Sequence, residues 1–479
     1  MINNSRFFFV LLSVSAALGI GNMFLYPYYS FKLTGLFFIP YMIALALVSV
    51  PMLMLEFSAG QYFNKNIVDL FASIRKWFSG IGWLMMINAF ILMSIYAVIF
   101  AWHIIYFFVS FGLQWKADPR LYFFNNVLQT AHSISGFTGF SLPVFIALIL
   151  AWVIIFFYIR NGFESLKKCF LITMPVLLAL MIFFLFFSLT LQGSLTGIYS
   201  LLKPDFKALL HLDVWIAAFS LAVLSVGISF GVMAAFARRS KDFIAGNSFI
   251  VAVFKLLASA ALGFIVFGML GFLGMKEKLT VNDLAFNDYS SIFTSLSSAL
   301  PFFHRPAFLS IMFFIFFSLF FLIGAASMAY SLVNVLAQKL NTKKRNAAIL
   351  VSGLGFLASL LFVIKPGYYL MDIIIHFIVF GMLIVVLLES VAVGWLSGRK
   401  ISEYINRHSR IKFGAVWKFL VRYFVPLIIL LLLFFNVKSD FLLNFNNYPW
   451  WANLIFGAGV VIIPIVIAFL LPEKILDRR

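Results

Sequence analysis

The sequence predicts an all-α, polytopic membrane protein of about twelve transmembrane helices, and three observations lead there. First, 64% of the 479 residues are hydrophobic and 11% are charged, against about half and a quarter in a soluble domain. Second, the apolar residues collect in runs long enough to cross ~30 Å of hydrocarbon. Third, the basic residues behind the +19 net charge fall mostly in short loops between those runs, as membrane topology requires. That distribution argues against a nucleic-acid partner and names the lipid bilayer instead.

The runs are residues 7–29, 36–60, 80–113, 142–160, 165–191, 213–237, 243–274, 307–338, 345–364, 368–396, 414–436 and 450–471, hereafter segments one to twelve. Arg6 and an apolar stretch before Ser15, Ala16 and Ala17 loosely fit a signal peptide, but the run continues to spanning length, so a retained helix is expected. With the N-terminus inside, the loops alternate. Lys65, Arg75 and Lys76 fall inside, then Arg160, Lys167 and Lys168, and the pattern continues to Arg399–Lys412. Roughly 24 basic residues lie inside against about 10 outside, so both termini are expected in the cytoplasm of a cell (plasma or inner) membrane. Connections 115–141, 192–212 and 276–305 are the longer outer ones. The last is either a hairpin folded back over a vestibule or a plain surface loop.

Segment one is interrupted. Its middle reads Ala16, Ala17, Leu18, Gly19, Ile20, Gly21, Asn22, two glycines and an amide at mid-bilayer depth. Unpaired backbone there costs several kcal/mol per group, so a helix break persists only where it lines a cavity or a site. Close helix packing through small residues, with Asn22 as an interhelical hydrogen bond, is the alternative. Segment six carries a matching interruption at Ser225, Gly227, Ser229 and Gly231. The breaks lie five segments apart. Five is odd, so two such units have opposite orientation, and paired interruptions of this kind point to a mid-membrane binding site. The expected organisation is an inverted-repeat core over 1–396 (first repeat 1–191, second 213–396), with two additional helices in 397–479.

Glu56, Lys255, Asp372 and Glu389 lie in or near spanning segments, where ionisable residues are functional candidates by default. His103 and His376 read as packed, hydrogen-bonded residues, and the single Cys169 as a packing residue. No nucleophile–base pair, metal-ligand cluster or phosphate loop appears, so no catalytic residue, enzyme activity or bound metal is expected.

The stretch GIGNMFLYPYY at 19–29, FIPY at 38–41 and VSVPMLMLEFSAGQY at 48–62 resembles the neurotransmitter:sodium symporter family. IYAVIFAW at 95–102, SVGISFG at 225–231, ARRSKDF at 237–243, GFIVFGMLGF at 263–272 and Gly394-Trp395 extend the resemblance over nearly the whole chain. It implies a secondary transporter, of the leucine-transporter fold, that moves a small or apolar amino acid by alternating access. Sodium or a proton would be the coupling ion, with no other cofactor. The alternative is a non-transporting sensor or scaffold relative. Substrate identity, direction and oligomeric state are not encoded.

By the same resemblance, the substrate site comprises Gly19, Ile20, Gly21, Leu92, Tyr96, Leu224, Gly227, Phe230, Ser327 and Ser331. Backbone amides at 19–21 and the Tyr96 hydroxyl would take the carboxylate. A first ion site comprises Ala17, Asn22, Ser225 and Lys255; a second sodium site comprises Ser15, Leu18, Ile323, Ala326 and Ser327. Glu56 matches a structural glutamate that supports the broken helices.

Departures matter as much. The outer-gate arginine of the family falls at Leu25 and its acidic partner at Ile375. The inner-gate acid falls near Asn341. Tyr41 and Ser259 match two chloride-ligand positions, but a glutamine of the sixth helix falls at Leu221. Lys255 stands where family members have an asparagine that ligates the first sodium ion. An ammonium carries the same single charge and donates three hydrogen bonds, so the expectation is a tethered cation in place of that ion.

Overall fold

The computed structural model describes residues 2–19, 21–131, 133–136, 139–239, 243–281, 284, 289–410, 412–443 and 445–470. Among these residues the regular structure is helical, apart from one isolated bridge between Phe140 and Ile364. Among the described residues ten helices are long and apolar enough to span a bilayer, or eleven when the bent first segment counts as one span. Segment six does not reach that length in one piece, because its break leaves Leu212–Ser225 and Val232–Ala237.

The frame is a pair of long helices, segment three (Ser79–Val109) and segment eight (Pro306–Lys339), which pack along each other. Their approach depends on Gly324, where a Cβ would run into the Tyr96 ring. Segment nine is fixed to this frame through a buried relay. Trp152 Nε1 donates to Ser359 Oγ at 3.2 Å, and Ser359 Oγ donates to Ser94 O at 3.1 Å.

Against the frame lie the broken segments, with segments two and seven beside them. In segment one, Arg6–Ala16 and Gly21–Lys32 meet at 57°, and a π-helical turn, Gly21–Leu25, resumes the helix after the break. Such turns recur at functional sites because they misalign the backbone ladder. Segment two ties to segment six: Ser49 Oγ donates to Ala222 O at 2.8 Å, and Gly60 has backbone of Ala234 where a Cβ would sit.

The 276–305 connection folds back. Its helix Tyr289–Ala299 buries Phe293, Leu296 and Ser297, and Trp115 Nε1 donates to Ser297 O at 3.0 Å. Phe293, Phe314, Phe317 and Phe321 surround His103, which is buried and hydrogen-bonds through Nδ1 to Ile99 O at 2.7 Å. It is a packed histidine.

Large apolar side chains face outward on segments four, five, nine, eleven and twelve, among them Ile146, Phe186, Leu357, Phe434 and Ile462. A soluble protein avoids such a surface, whereas hydrocarbon is its natural solvent. Segment twelve packs on segments three and ten, with Gly80 against Phe469 and Gly457 against Phe377. Trp417 of segment eleven donates to Pro51 O at 3.0 Å.

Candidate functional site

The two breaks meet. A Cβ on Gly21 would lie 2.6 Å from Ser225 Cβ, and one on Gly227 would lie 2.9 Å from Ala16 O. Gly227, Ser229 and Gly231 all have positive φ (+79°, +72° and +65°), a backbone that glycine adopts freely and serine does not. The small residues of both segments are therefore required by close approach and by backbone direction, and not by packing alone.

A helix that stops mid-membrane leaves carbonyl oxygens with no N–H partner. At the end of the first half of segment one, that role falls to Ala17 O, which accepts a hydrogen bond from Lys255 Nζ at 2.9 Å. Lys255 is 1% exposed, so its Nζ does not reach toward an interface.

Around that contact lies a buried polar cluster. Asn22 Nδ2 donates to Ser259 Oγ at 3.0 Å and to Lys255 O at 3.4 Å. The Tyr41 hydroxyl and Ser225 Oγ are 3.0 Å apart. Asn22 Oδ1 is buried with no hydrogen-bond partner, so the cluster retains an acceptor for a further ligand. Ala17, Asn22, Ser225 and Lys255 are thus brought to one place. Tyr41 and Ser259 join them, although sequence reasoning had placed them only as chloride-ligand matches. The available signal was helical spacing, since Ser259 follows Lys255 by four residues on the same face.

The other predicted residues fall into place unevenly. Gly19 lies against Tyr96, and a Cβ there would fall on the Tyr96 hydroxyl. Ile20 lies outside the described residues. Leu92 and Phe230 are buried. Ser331 Oγ contacts Met86 Sδ at 3.9 Å. The second-site group divides. Leu18 O faces segment eight near Gly324, and Ile323 and Ala326 are fully buried. Ser15 Oγ and Ser327 Oγ instead donate back to their own helices, at Leu11 O (2.6 Å) and Ile323 O (2.8 Å). Glu56 Oε1 accepts from the Ser229 amide at 2.8 Å, beside the break of segment six.

At the end of the bundle where segment one finishes, a cavity of about 470 Å3 reaches down to Leu221 and Leu224, just above Ser225. Leu25 and Ile375, the two departures from the family's outer gate, stand in its wall. Asp372 lines the same cavity, and its Oδ2 accepts from Asn446 Nδ2 and the Tyr448 hydroxyl, each at 2.9 Å. His376 stacks on Phe445 with 3.9 Å between ring centroids.

Comparison with known proteins agrees with this architecture. The sequence model of the sodium:neurotransmitter symporter family matches residues 2–118 and 114–474. An uncharacterized sodium-dependent transporter of Methanocaldococcus jannaschii is 31% identical over 98% of this chain and 97% of its own length. The sodium- and chloride-dependent GABA transporter 2 of Mus musculus is 25% identical over 94% of this chain and 82% of its own. The sodium-dependent dopamine transporter of Caenorhabditis elegans is also 25% identical, over 96% and 85%. With broken first and sixth segments meeting at a buried polar cluster and a family match over nearly its full length, this multi-pass membrane chain belongs to the sodium:neurotransmitter symporter family.

Proposed function

We propose that the protein is a secondary transporter of a small or apolar amino acid, working by alternating access, in which the Lys255 ammonium replaces one of the coupling sodium ions. The observation that carries this reading is the buried Lys255 Nζ on Ala17 O, at the break of segment one. With Lys255 charged at the first ion position, a sodium ion there would meet like-charge repulsion in a low dielectric. The substrate's own carboxylate is the natural counter-charge, and the remaining ammonium donors suit it. Gly19 brings no side-chain carboxylate to the break, which suits a ligand that carries its own. Apolar Leu92, Leu224 and Phe230 favour an apolar side chain on the substrate.

The named relatives are sodium-dependent, and this reading keeps a place for one sodium at the second site, through backbone carbonyls near Ser15, Leu18 and Ile323. An inverted five-plus-five arrangement over 1–396 is part of the proposal. Its support is the pair of breaks, five segments apart, that meet at one cluster. The basic loops support placing both termini in the cytoplasm.

The test is binding and uptake of labelled amino acids by the purified protein in proteoliposomes. Wild-type binding should not require two sodium ions, and Lys255→Asn should either make binding sodium-dependent at that site or abolish it. A two-sodium requirement in the wild type overturns the lysine assignment. Absence of binding and movement under every sodium and pH gradient favours a sensor or scaffold instead.

A further inference from the structure

Where segment ten ends and segment eleven begins, two π-helical turns pack together, Ser390–Trp395 and Leu420–Phe424. Their approach is close, since a Cβ on Gly394 would lie 3.0 Å from Val421 Cγ1. A π-helical turn misaligns the backbone ladder, and Trp395 Nε1 donates to the Arg422 carbonyl oxygen there at 2.9 Å. That bond holds the indole against segment eleven. The Arg422 guanidinium lies over it, 4.5 Å from the Trp395 ring centroid and 5.6 Å from that of Tyr423.

The rings that hold the guanidinium also face outward. Trp395 is 48% exposed, Tyr423 51% and the neighbouring Phe419 59%, an aromatic group of the kind that sits at headgroup level. Arg422 lies eight residues into the span Gly414–Lys438, about 12 Å along the helix, so the side chain stands at the edge of the hydrocarbon. A guanidinium there is costly unless it meets an anion. The protein supplies none. Arg422 Nε is buried with no hydrogen-bond partner, and no carboxylate pairs with the guanidinium among the described residues. Segment eleven has no acidic residue between Gly414 and Lys438. On the neighbouring stretch, Glu389 is fully buried and Glu403 pairs with Arg399 at 3.2 Å. Ring stacking engages the face of the guanidinium and leaves its edge, where the N–H donors lie, for an acceptor. Lys418, one turn nearer the start of the helix, adds a second positive charge.

We propose that this junction binds the headgroup of an anionic phospholipid. The guanidinium of Arg422 forks onto the phosphate, a geometry that suits two parallel N–H donors. Trp395 and Tyr423 hold the guanidinium in place, and the acyl chains lie along the exposed Leu427 and Leu431 of segment eleven. Two cations with no neighbouring acid select a lipid of net negative charge over a zwitterionic one, whose own ammonium they repel. The site is independent of which substrate the protein carries and of how many ions it couples.

Native mass spectrometry of the full-length protein in mild detergent counts bound lipid directly. Titrated with phosphatidylglycerol and with phosphatidylcholine of matched chains, the wild type should hold one phosphatidylglycerol more tightly than any phosphatidylcholine. Arg422→Gln and Lys418→Gln should each weaken that step by about five-fold, the weight of one basic residue near an anionic surface. Arg422→Lys keeps the charge and should keep the preference for phosphatidylglycerol, and Lys343→Gln, on the connection between segments eight and nine, should bind as the wild type does. Equal retention of the two lipids by the wild type overturns the proposal, as does wild-type binding of phosphatidylglycerol by Arg422→Gln. Displacement of the lipid by millimolar inorganic phosphate overturns it in favour of a free-anion site, and a dimer that Arg422→Gln abolishes does so in favour of a second copy of the chain. Lys418→Gln carries the test if Arg422→Gln does not fold.

Discussion

Lys339 Nζ and Asp69 Oδ1 lie 2.7 Å apart, joining the end of segment eight to the short helix Ile67–Ala72 that follows segment two. Beside them Asn66 Nδ2 donates to Gln338 Oε1 at 2.7 Å. This clasp stands close to where the family's inner-gate acid would be, at Asn341, and it is built from different residues. Asp69 is partly exposed, so the ion pair contributes about 0.5–1 kcal/mol after solvent screening. Lys339→Gln should therefore raise amide hydrogen exchange in Ile67–Ala72 by a few-fold while segment three stays protected. Unchanged exchange would remove the pair from any role in holding this helix in place.

Tyr96→Phe deletes one hydroxyl beside Gly19. Where that hydroxyl serves a substrate carboxylate, binding should weaken by roughly 1–3 kcal/mol, the range for a hydrogen bond to a charged group. Calorimetric titration with an amino acid that binds the wild type measures it. An unaltered affinity takes Tyr96 out of the site.

Gly19→Ala places a methyl on the Tyr96 hydroxyl. Overpacking of this kind costs about 1–3 kcal/mol, so the thermal midpoint should fall. Combining it with Tyr96→Phe removes the clashing oxygen and should recover part of the loss. Additive losses in the double variant would mean that the two residues do not touch.

Asp372→Ala removes the acceptor shared by Asn446 and Tyr448. Hydrogen bonds to a carboxylate contribute about 1.5–3 kcal/mol each, so residues 445–448 should exchange faster and be cut sooner by protease. Equal protection in variant and wild type would show that the His376–Phe445 stack alone seats this connection.

The parts of the fold that the sequence made readable are those where composition opposes the local environment. Gly19, Gly21 and Asn22 are poor choices for a helix centre in hydrocarbon, as are Ser225, Gly227 and Ser229, and the breaks fall at these positions. Lys255 was visible for the same reason. What stayed hidden depends on three-dimensional approach. Nothing in the sequence pairs Trp115 with Ser297, because 182 positions separate them. The Asp69–Lys339 clasp was equally invisible, since loop charges read as topology signals. Ser15 and Ser327 look like ligands by type, yet their hydroxyls turn back to the carbonyls four residues earlier, a choice of rotamer that no pattern reveals.

Lys255 is covalently part of segment seven, and that has an electrical consequence. A sodium ion that travels with its substrate crosses the membrane potential, which contributes about 2.3 kcal/mol per charge at 100 mV, roughly a fifty-fold accumulation. An ammonium fixed to the helix makes no such crossing and returns with the protein. Under the proposed reading, each cycle with a zwitterionic substrate moves one elementary charge fewer than a two-sodium relative would. Voltage then has less hold on the protein, and its currents should be correspondingly small for the same flux.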